Sequence, residues 1–126
     1  MTEASMIGLL VATVSFGALL YLAALGELVA EKAGILNLGV EGMMAMGAVS
    51  AFMAALEWGN PWLALLVGIV VGALTASVHG WFTVVMGAEQ VVSGLSLTIL
   101  GLGFAAYMGK NVLGRPPGGV LAPVDW

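Results

Sequence analysis

The sequence contains no cysteine, a single histidine and few charges of either sign, with three basic and seven acidic residues among 126. The absence of cysteine excludes a disulfide framework and thiolate metal sites. A soluble domain carries about a quarter charged residues. This chain therefore cannot build a water-facing surface, and most of it must face lipid or other helices. The net charge of −4 and the lack of a basic cluster argue against nucleic acid as a partner.

Hydrophobic residues dominate instead, at 61% of the chain, and the mean hydropathy is +1.11. The uncharged runs supply the roughly 20 residues that cross a ~30 Å hydrocarbon core. The first run follows no positively charged segment and is too long for the apolar part of a signal peptide, so we interpret it as a retained span. We therefore predict an all-α integral membrane protein with four transmembrane helices. The spans are expected at about 5–25, 38–57, 62–86 and 91–109, with a tail at 110–126.

The second span has the shortest uncharged run. Residues 42–56 number only 15, which is about 22 Å of helix at 1.5 Å per residue. To cross the bilayer, the helix must begin nearer Asn37 and bring Glu41 into or close to the membrane. The alternative is a broken or re-entrant segment, which is allowed only inside protein or along a wet cavity. In both cases, bringing the Glu41 carboxylate into or close to the membrane costs free energy. The positive end of the helix dipole offsets about 0.3–1 kcal/mol of that cost.

Small residues recur at intervals of four in three of the predicted spans. Such faces let helix backbones approach closely in lipid, where no hydrophobic force drives helices together. The abundance of glycine and alanine is the simpler explanation, but three series favour packing. The series in the third span is Gly68, Gly72, Ala76 and Gly80. The other two are Gly47, Ala51 and Ala55 in the second span and Gly101, Ala105 and Gly109 in the fourth.

Two segments carry a specific pattern. Residues 31–42 read Glu-Lys-Ala-Gly-Ile-Leu-Asn-Leu-Gly-Val-Glu-Gly, and residues 90–94, downstream of His79, read Gln-Val-Val-Ser-Gly. Both segments resemble the signature of nucleoside and simple-sugar ABC transporter permeases, relatives of the branched-chain amino-acid permeases. The resemblance covers well under half of such a permease, so we expect residues 1–126 to be its N-terminal portion. The chain departs from the pattern at residues 86–89, Met-Gly-Ala-Glu, where relatives usually carry a basic residue.

The resemblance implies the permease subunit of an ABC importer in the cell (plasma or inner) membrane, with nucleosides as the leading solute. Its implied partners are the lipid bilayer, a second permease subunit, a cytoplasmic ABC ATPase subunit and an extracytoplasmic solute-binding protein. The chain would bind no cofactor directly, because ATP would be hydrolysed on the ATPase subunit. The resemblance also implies that the N-terminus and the tail lie outside. Lys110 and Arg115 in the tail, against Lys32 in the first loop, would instead place the tail inside.

Four polar residues are candidates for the substrate pathway: Asn37, Glu41, Gln90 and Ser93. Intramembrane polar groups tend to face a cavity, and broken helix ends often form transporter binding sites. The structural alternative is that Asn37 caps a helix and Glu41 bonds first-turn amides. Gln90 and Ser93 would bond a nucleobase or ribose, or merely begin the fourth helix. The lone His79 indicates a bond to a neighbouring helix or an interfacial position, because no second ligand stands at metal spacing.

Other functions stay open on the residues alone. The solute could be a sugar or a branched-chain amino acid, since composition does not separate these classes. The chain could also be a complete small four-helix proton-coupled transporter that uses Glu41, or a purely structural membrane subunit. No nucleophile–base pair, phosphate-binding glycine loop or carboxylate dyad indicates an enzyme. The tail contains three prolines and three glycines and is expected to be a loop. We expect the 126-residue chain alone not to perform ATP-driven transport.

Overall fold

The computed structural model describes residues 3–116, and the rest of the predicted tail lies outside the described residues. Four α-helices occur in this range, and each is long and apolar enough, by length and composition, to cross a membrane. They are α1 (Glu3–Lys32), α2 (Val40–Trp58), α3 (Pro61–Gly80) and α4 (Gln90–Gly109). No strand is present among residues 3–116, so the all-α prediction is confirmed. The chain divides into two compact units, Met1–Leu36 and Asn37–Trp126.

The first unit contains the helix α1, which continues past the predicted span 5–25 to Lys32. The sequence suggested a polar connection from residue 26, but glutamate and lysine are good helix formers and do not end a helix. Gly34, at φ +85°, ends it. The Gly34 N–H donates to the Glu31 carbonyl and the Ile35 N–H to the Ala30 carbonyl, which is the hydrogen-bond pair of a Schellman motif.

The second unit begins with the hairpin of α2 and α3. Gly59 adopts the left-handed conformation after α2, at φ 62°, and its N–H donates to the Ala55 carbonyl. The next residue, Asn60, caps α3: its side-chain oxygen accepts from Trp62 N–H at 3.0 Å. Pro61 occupies the first helical position, where a missing N–H costs nothing. The Asn60-Pro61 turn predicted from the sequence is therefore present.

The third predicted span, 62–86, is not one regular helix. It is α3 followed by a π-helical turn at Trp81–Val85, whose closing bond runs from Met86 N–H to the Trp81 carbonyl. Beyond it, the carboxylate of Glu89 caps α4, with Oε1 accepting from Val91 N–H at 3.1 Å and Oε2 from Val92 N–H at 2.7 Å. The connection between α3 and α4 is therefore short and fixed at both ends.

Two helix interfaces hold the second unit together. Between α2 and α3, the carbonyl oxygen of Gly47 lies 3.3 Å from where a Cβ on Gly68 would stand. Small side chains extend this contact, with Val67 packed against it: Ala54, Ala55 and Ala64. Between α2 and α4, Met43 and Leu97 are buried. Most large apolar side chains remain uncovered by protein, which suits helices in a bilayer, where lipid is as apolar as a protein core.

Candidate functional site

The end of the first signature segment, residues 38–42, lies against α4, which begins with the second signature segment. A Cβ on Gly94 would stand 2.8 Å from the backbone nitrogen of Leu38 and 3.0 Å from that of Gly39. The Thr98 hydroxyl crosses the same interface and donates to the Leu38 carbonyl at 2.7 Å. Only a glycine at position 94 lets the start of α4 approach the turn before α2 this closely.

About two turns further along α4, the two backbones touch. A Cβ on Gly101 would lie 2.6 Å from the Cα of Gly42, and a Cβ on Gly42 would overlap the carbonyl oxygen of Leu97. Both glycines are buried. We call the four glycines of this contact the glycine seam: Gly39, Gly42, Gly94 and Gly101.

Asn37 holds the turn that leads into α2. Its side-chain oxygen accepts from Gly39 N–H at 2.9 Å, and its Nδ2 lies 3.5 Å from the sulfur of Met43. The residue at the N-cap itself is Gly39, which has no side-chain cap, so Asn37 does not cap α2 in the way the sequence suggested. Glu41 lies exposed in the first turn of α2, and its carboxylate makes no hydrogen bond with the described residues 3–116.

Gln90 and Ser93 stand in the first turn of α4, as expected from the sequence. Ser93 reaches across to α3, where its hydroxyl oxygen lies 3.0 Å from Nδ1 of His79. His79 is 3% exposed. Its predicted bond to a neighbouring helix is therefore confirmed, while the direction of the bond depends on the histidine tautomer.

A groove of about 460 Å³ runs between the end of α3, the π-helical turn and α4. The pair formed by His79 and Ser93 lies in its wall. The remaining wall is mostly apolar, with one further hydroxyl and one carboxylate. The lining residues are Val78, His79, Phe82, Ala88, Glu89, Val92, Ser93, Ser96, Leu97 and Leu100. Of the four predicted pathway residues, only Ser93 lines this groove, and Asn37, Glu41 and Gln90 do not.

The predicted packing series on α3 is used only in part by the described residues. Gly68 faces Gly47 and Ala51 on α2, with a Cβ on Gly68 standing 3.1 Å from the Cβ of Ala51. A Cβ on Gly72 or Gly80 would meet nothing within 4 Å, and Ala76 is exposed. Packing at these three positions stays a prediction.

Sequence reasoning missed three polar residues of this region. Thr98 bridges α4 to the turn before α2, Ser96 lines the groove, and Glu89 caps α4. A signal was present for Glu89, because an acidic residue just before an apolar helix is a common start. No group of three histidine, aspartate or glutamate side chains suited to a metal ion occurs within residues 3–116.

Comparison with known proteins identifies a family for this chain. Residues 9–120 match the family described as branched-chain amino acid transport system, permease component. A putative glucose ABC transporter permease of Haloferax volcanii is 48% identical over 104 residues, which cover 82% of this chain and 32% of that protein. A guanosine ABC transporter permease of Bacillus subtilis is 34% identical over 110 residues, covering 82% of this chain and 34% of that protein.

A nucleoside ABC transporter permease of Lactococcus lactis is 33% identical over 90 residues, covering 67% of this chain and 28% of that protein. The chain therefore spans about a third of the length of these relatives. No solved structure matches it. The family match takes in both signature segments and all but the first residues of α1. This multi-pass membrane protein belongs to the family of branched-chain amino acid transport system permease components.

Proposed function

We propose that the chain is part of the transmembrane pathway of an ABC importer, as the permease subunit, and that the imported solute is a nucleoside. The observation that carries the proposal is the family match over residues 9–120, which includes both signature segments. Glycines from both segments lie in the glycine seam, so part of each segment also forms the interface between α2 and α4.

Two of the three relatives described above carry names for guanosine or nucleoside transport, which supports a nucleoside as solute. The relative with the higher identity, 48%, carries a name for glucose. Both solutes contain a sugar ring, so the competing solute is chemically close. Glucose import is therefore the alternative that the experiment must separate.

The chain's helices supply no ATP-binding chemistry in this proposal. A cytoplasmic ATPase subunit would hydrolyse ATP, a second permease subunit would complete the pathway, and an extracytoplasmic binding protein would deliver the solute. Alternating access would then arise from rocking of helices around the pathway, as in other transporters built from membrane helices.

The test is reconstitution of the full-length reading frame that contains residues 1–126, with its ATPase and binding protein, in proteoliposomes. Uptake of radiolabelled guanosine, glucose and leucine is measured with ATP and with a non-hydrolysable analogue inside. We expect ATP-dependent uptake of guanosine above that of glucose and leucine. Uptake of glucose alone would overturn the choice of solute. ATP-independent uptake driven by a proton gradient would overturn the ABC mechanism.

A further inference from the structure

The hydroxyl groups on the helices show two kinds of bonding. On α1, on α3 and in the π-helical turn, hydroxyls donate to backbone carbonyls of the preceding turn, which is the usual arrangement for serine and threonine in membrane helices. The residues that do so are Thr13, Ser15, Thr75, Ser77 and Thr83. The serine and threonine hydroxyls of α4 make no such bond. The hydroxyl of Thr98 donates to the Leu38 carbonyl, that of Ser93 bonds His79, and that of Ser96 has no hydrogen bond with the described residues 3–116.

Ser93 and Ser96, but not Thr98, lie in the wall of the groove between α3 and α4. A serine hydroxyl has one donor and two acceptor sites. Whichever direction the bond between Ser93 and His79 takes, Ser93 keeps hydrogen-bonding capacity. The hydroxyl of Ser50 on α2 also makes no hydrogen bond within residues 3–116, but Ser50 does not line the groove.

The rest of the groove wall suits a ligand with a flat apolar face. Phe82 projects from the π-helical turn, and Leu97 and Leu100 follow along α4. The volume of about 460 Å³ falls within the range of small-molecule sites, which are mostly apolar with a few placed polar groups. Turns of π-helix are also frequent at functional sites. Glucose, which carries hydroxyls around its whole ring, would leave most of them without partners here, at a cost for each.

We propose that this groove is a binding site for the base of the nucleoside on its way through the pathway. Phe82 packs on the face of the base, because every base has a π-face suited to an aromatic ring. The hydroxyls of Ser93 and Ser96 bond the polar edge of the base, and His79 holds Ser93 in place from behind. The inference rests on the proposed function and adds to it a site, a part of the solute and three contacting residues.

The experiment compares maximal ATP-dependent uptake of different nucleosides by the reconstituted transporter, with the binding protein saturated. Ser93→Ala and Ser96→Ala should each change the ratio of guanosine to uridine uptake by about 3- to 10-fold, the effect of one hydrogen bond. The ratio of guanosine to 2′-deoxyguanosine uptake should stay constant, because the sugar is not contacted. Ser77→Ala is the matched control: it removes an exposed hydroxyl on α3 that bonds the Ala73 carbonyl and lies outside the groove.

Unchanged base ratios in both variants, with normal guanosine uptake by the parent protein, would overturn the base site and leave the proposed function standing. The base site would also be overturned if the ratio of guanosine to 2′-deoxyguanosine uptake changed and the ratio of guanosine to uridine uptake did not. Absence of guanosine uptake by the parent protein would count against the proposed function itself.

The variant Ser96→Trp tests whether the groove holds the solute or is filled by another helix. If the groove is open to the solute, this variant keeps its folded yield and loses guanosine uptake. A collapse of the folded yield would show that another helix fills the groove, which would refute the base site.

Discussion

The helix α4 has two faces with opposite construction. One face, with Gly94 and Gly101, lies so close to α2 that no Cβ fits at the two glycines. The other face, with Ser93 and Ser96, borders an open groove and carries hydroxyls that bond outside their own helix or, within residues 3–116, to nothing. The comparison indicates that glycines form the close interface with α2, whereas the serines lie on the face that is open to a ligand.

The largest effect is expected from filling the glycine seam. Gly101→Leu must push α4 away from Gly42, and even Gly101→Ala should destabilise the fold by about 1–3 kcal/mol, the usual cost of overpacking. The measurement is the fraction of monodisperse protein that survives heating in detergent. Gly103→Ala is the control, because a Cβ there meets nothing within 4 Å. Equal behaviour of the two alanine variants would show that the seam does not hold the helices.

A smaller loss is expected at the interface of α2 and α3. Gly68→Leu should lower the folded yield, by overpacking of about 1–3 kcal/mol against Gly47 and Ala51. Gly72→Leu, one turn along the same face, is compared in the same assay. The described residues leave space at Gly72, so we expect the loss to be greater at Gly68. A greater loss at Gly72 would mean that this position packs against a helix outside residues 3–116.

The cap of α4 gives the next effect in size. Glu89→Ala removes the carboxylate that accepts from Val91 and Val92 N–H groups, and loss of a cap costs about 0.5–2 kcal/mol. Because Glu89 also borders the groove, thermal stability is measured together with guanosine uptake. The control is Glu57→Ala, which removes an exposed acid at the other end of α2 from the glycine seam. Equal stability of both variants would argue against a capping role.

Substitutions at the start of α2 are expected to have the smallest effect on folding. Their effect on transport is expected to be larger. Glu41→Gln should leave the folded yield unchanged, because its carboxylate bonds nothing in residues 3–116. Asn37→Ala should cost about 0.5–1.5 kcal/mol through the lost bond to Gly39 N–H. As pathway residues, both are predicted to lower uptake in the assembled transporter. Normal uptake in both variants would limit them to a structural role.

The membrane-spanning architecture was predictable from the sequence because it depends on the length of uncharged runs. The Asn60-Pro61 turn was predictable for a local reason, since asparagine caps and proline fits the first helical position. The extension of α1 to Lys32 was not, because hydropathy reports where lipid ends and not where the helix ends. The π-helical turn at Trp81–Val85 left no signal in composition.

The candidate site was only partly predictable. Ser93 and His79 were both singled out, and a short connection between their helices would have placed them near each other. The glycine seam was missed because a spacing of four along one helix does not identify the partner helix. Gly42 and Gly101 meet through tertiary geometry, and the regular series at Gly68 to Gly80 gave the stronger pattern.

The most direct test of the two-faced account of α4 uses the absence of cysteine from the chain. Single variants Ser96→Cys and Met43→Cys, in the transporter with any other cysteines replaced, are treated with a water-soluble methanethiosulfonate reagent, in the presence of guanosine, of glucose or of neither. Met43 is buried in the interface between α2 and α4 and does not line the groove. The account predicts that Ser96→Cys reacts, that guanosine slows the reaction and glucose does not, and that Met43→Cys stays unreactive. Labelling of Met43→Cys at the rate of Ser96→Cys, or no protection by guanosine, would contradict it.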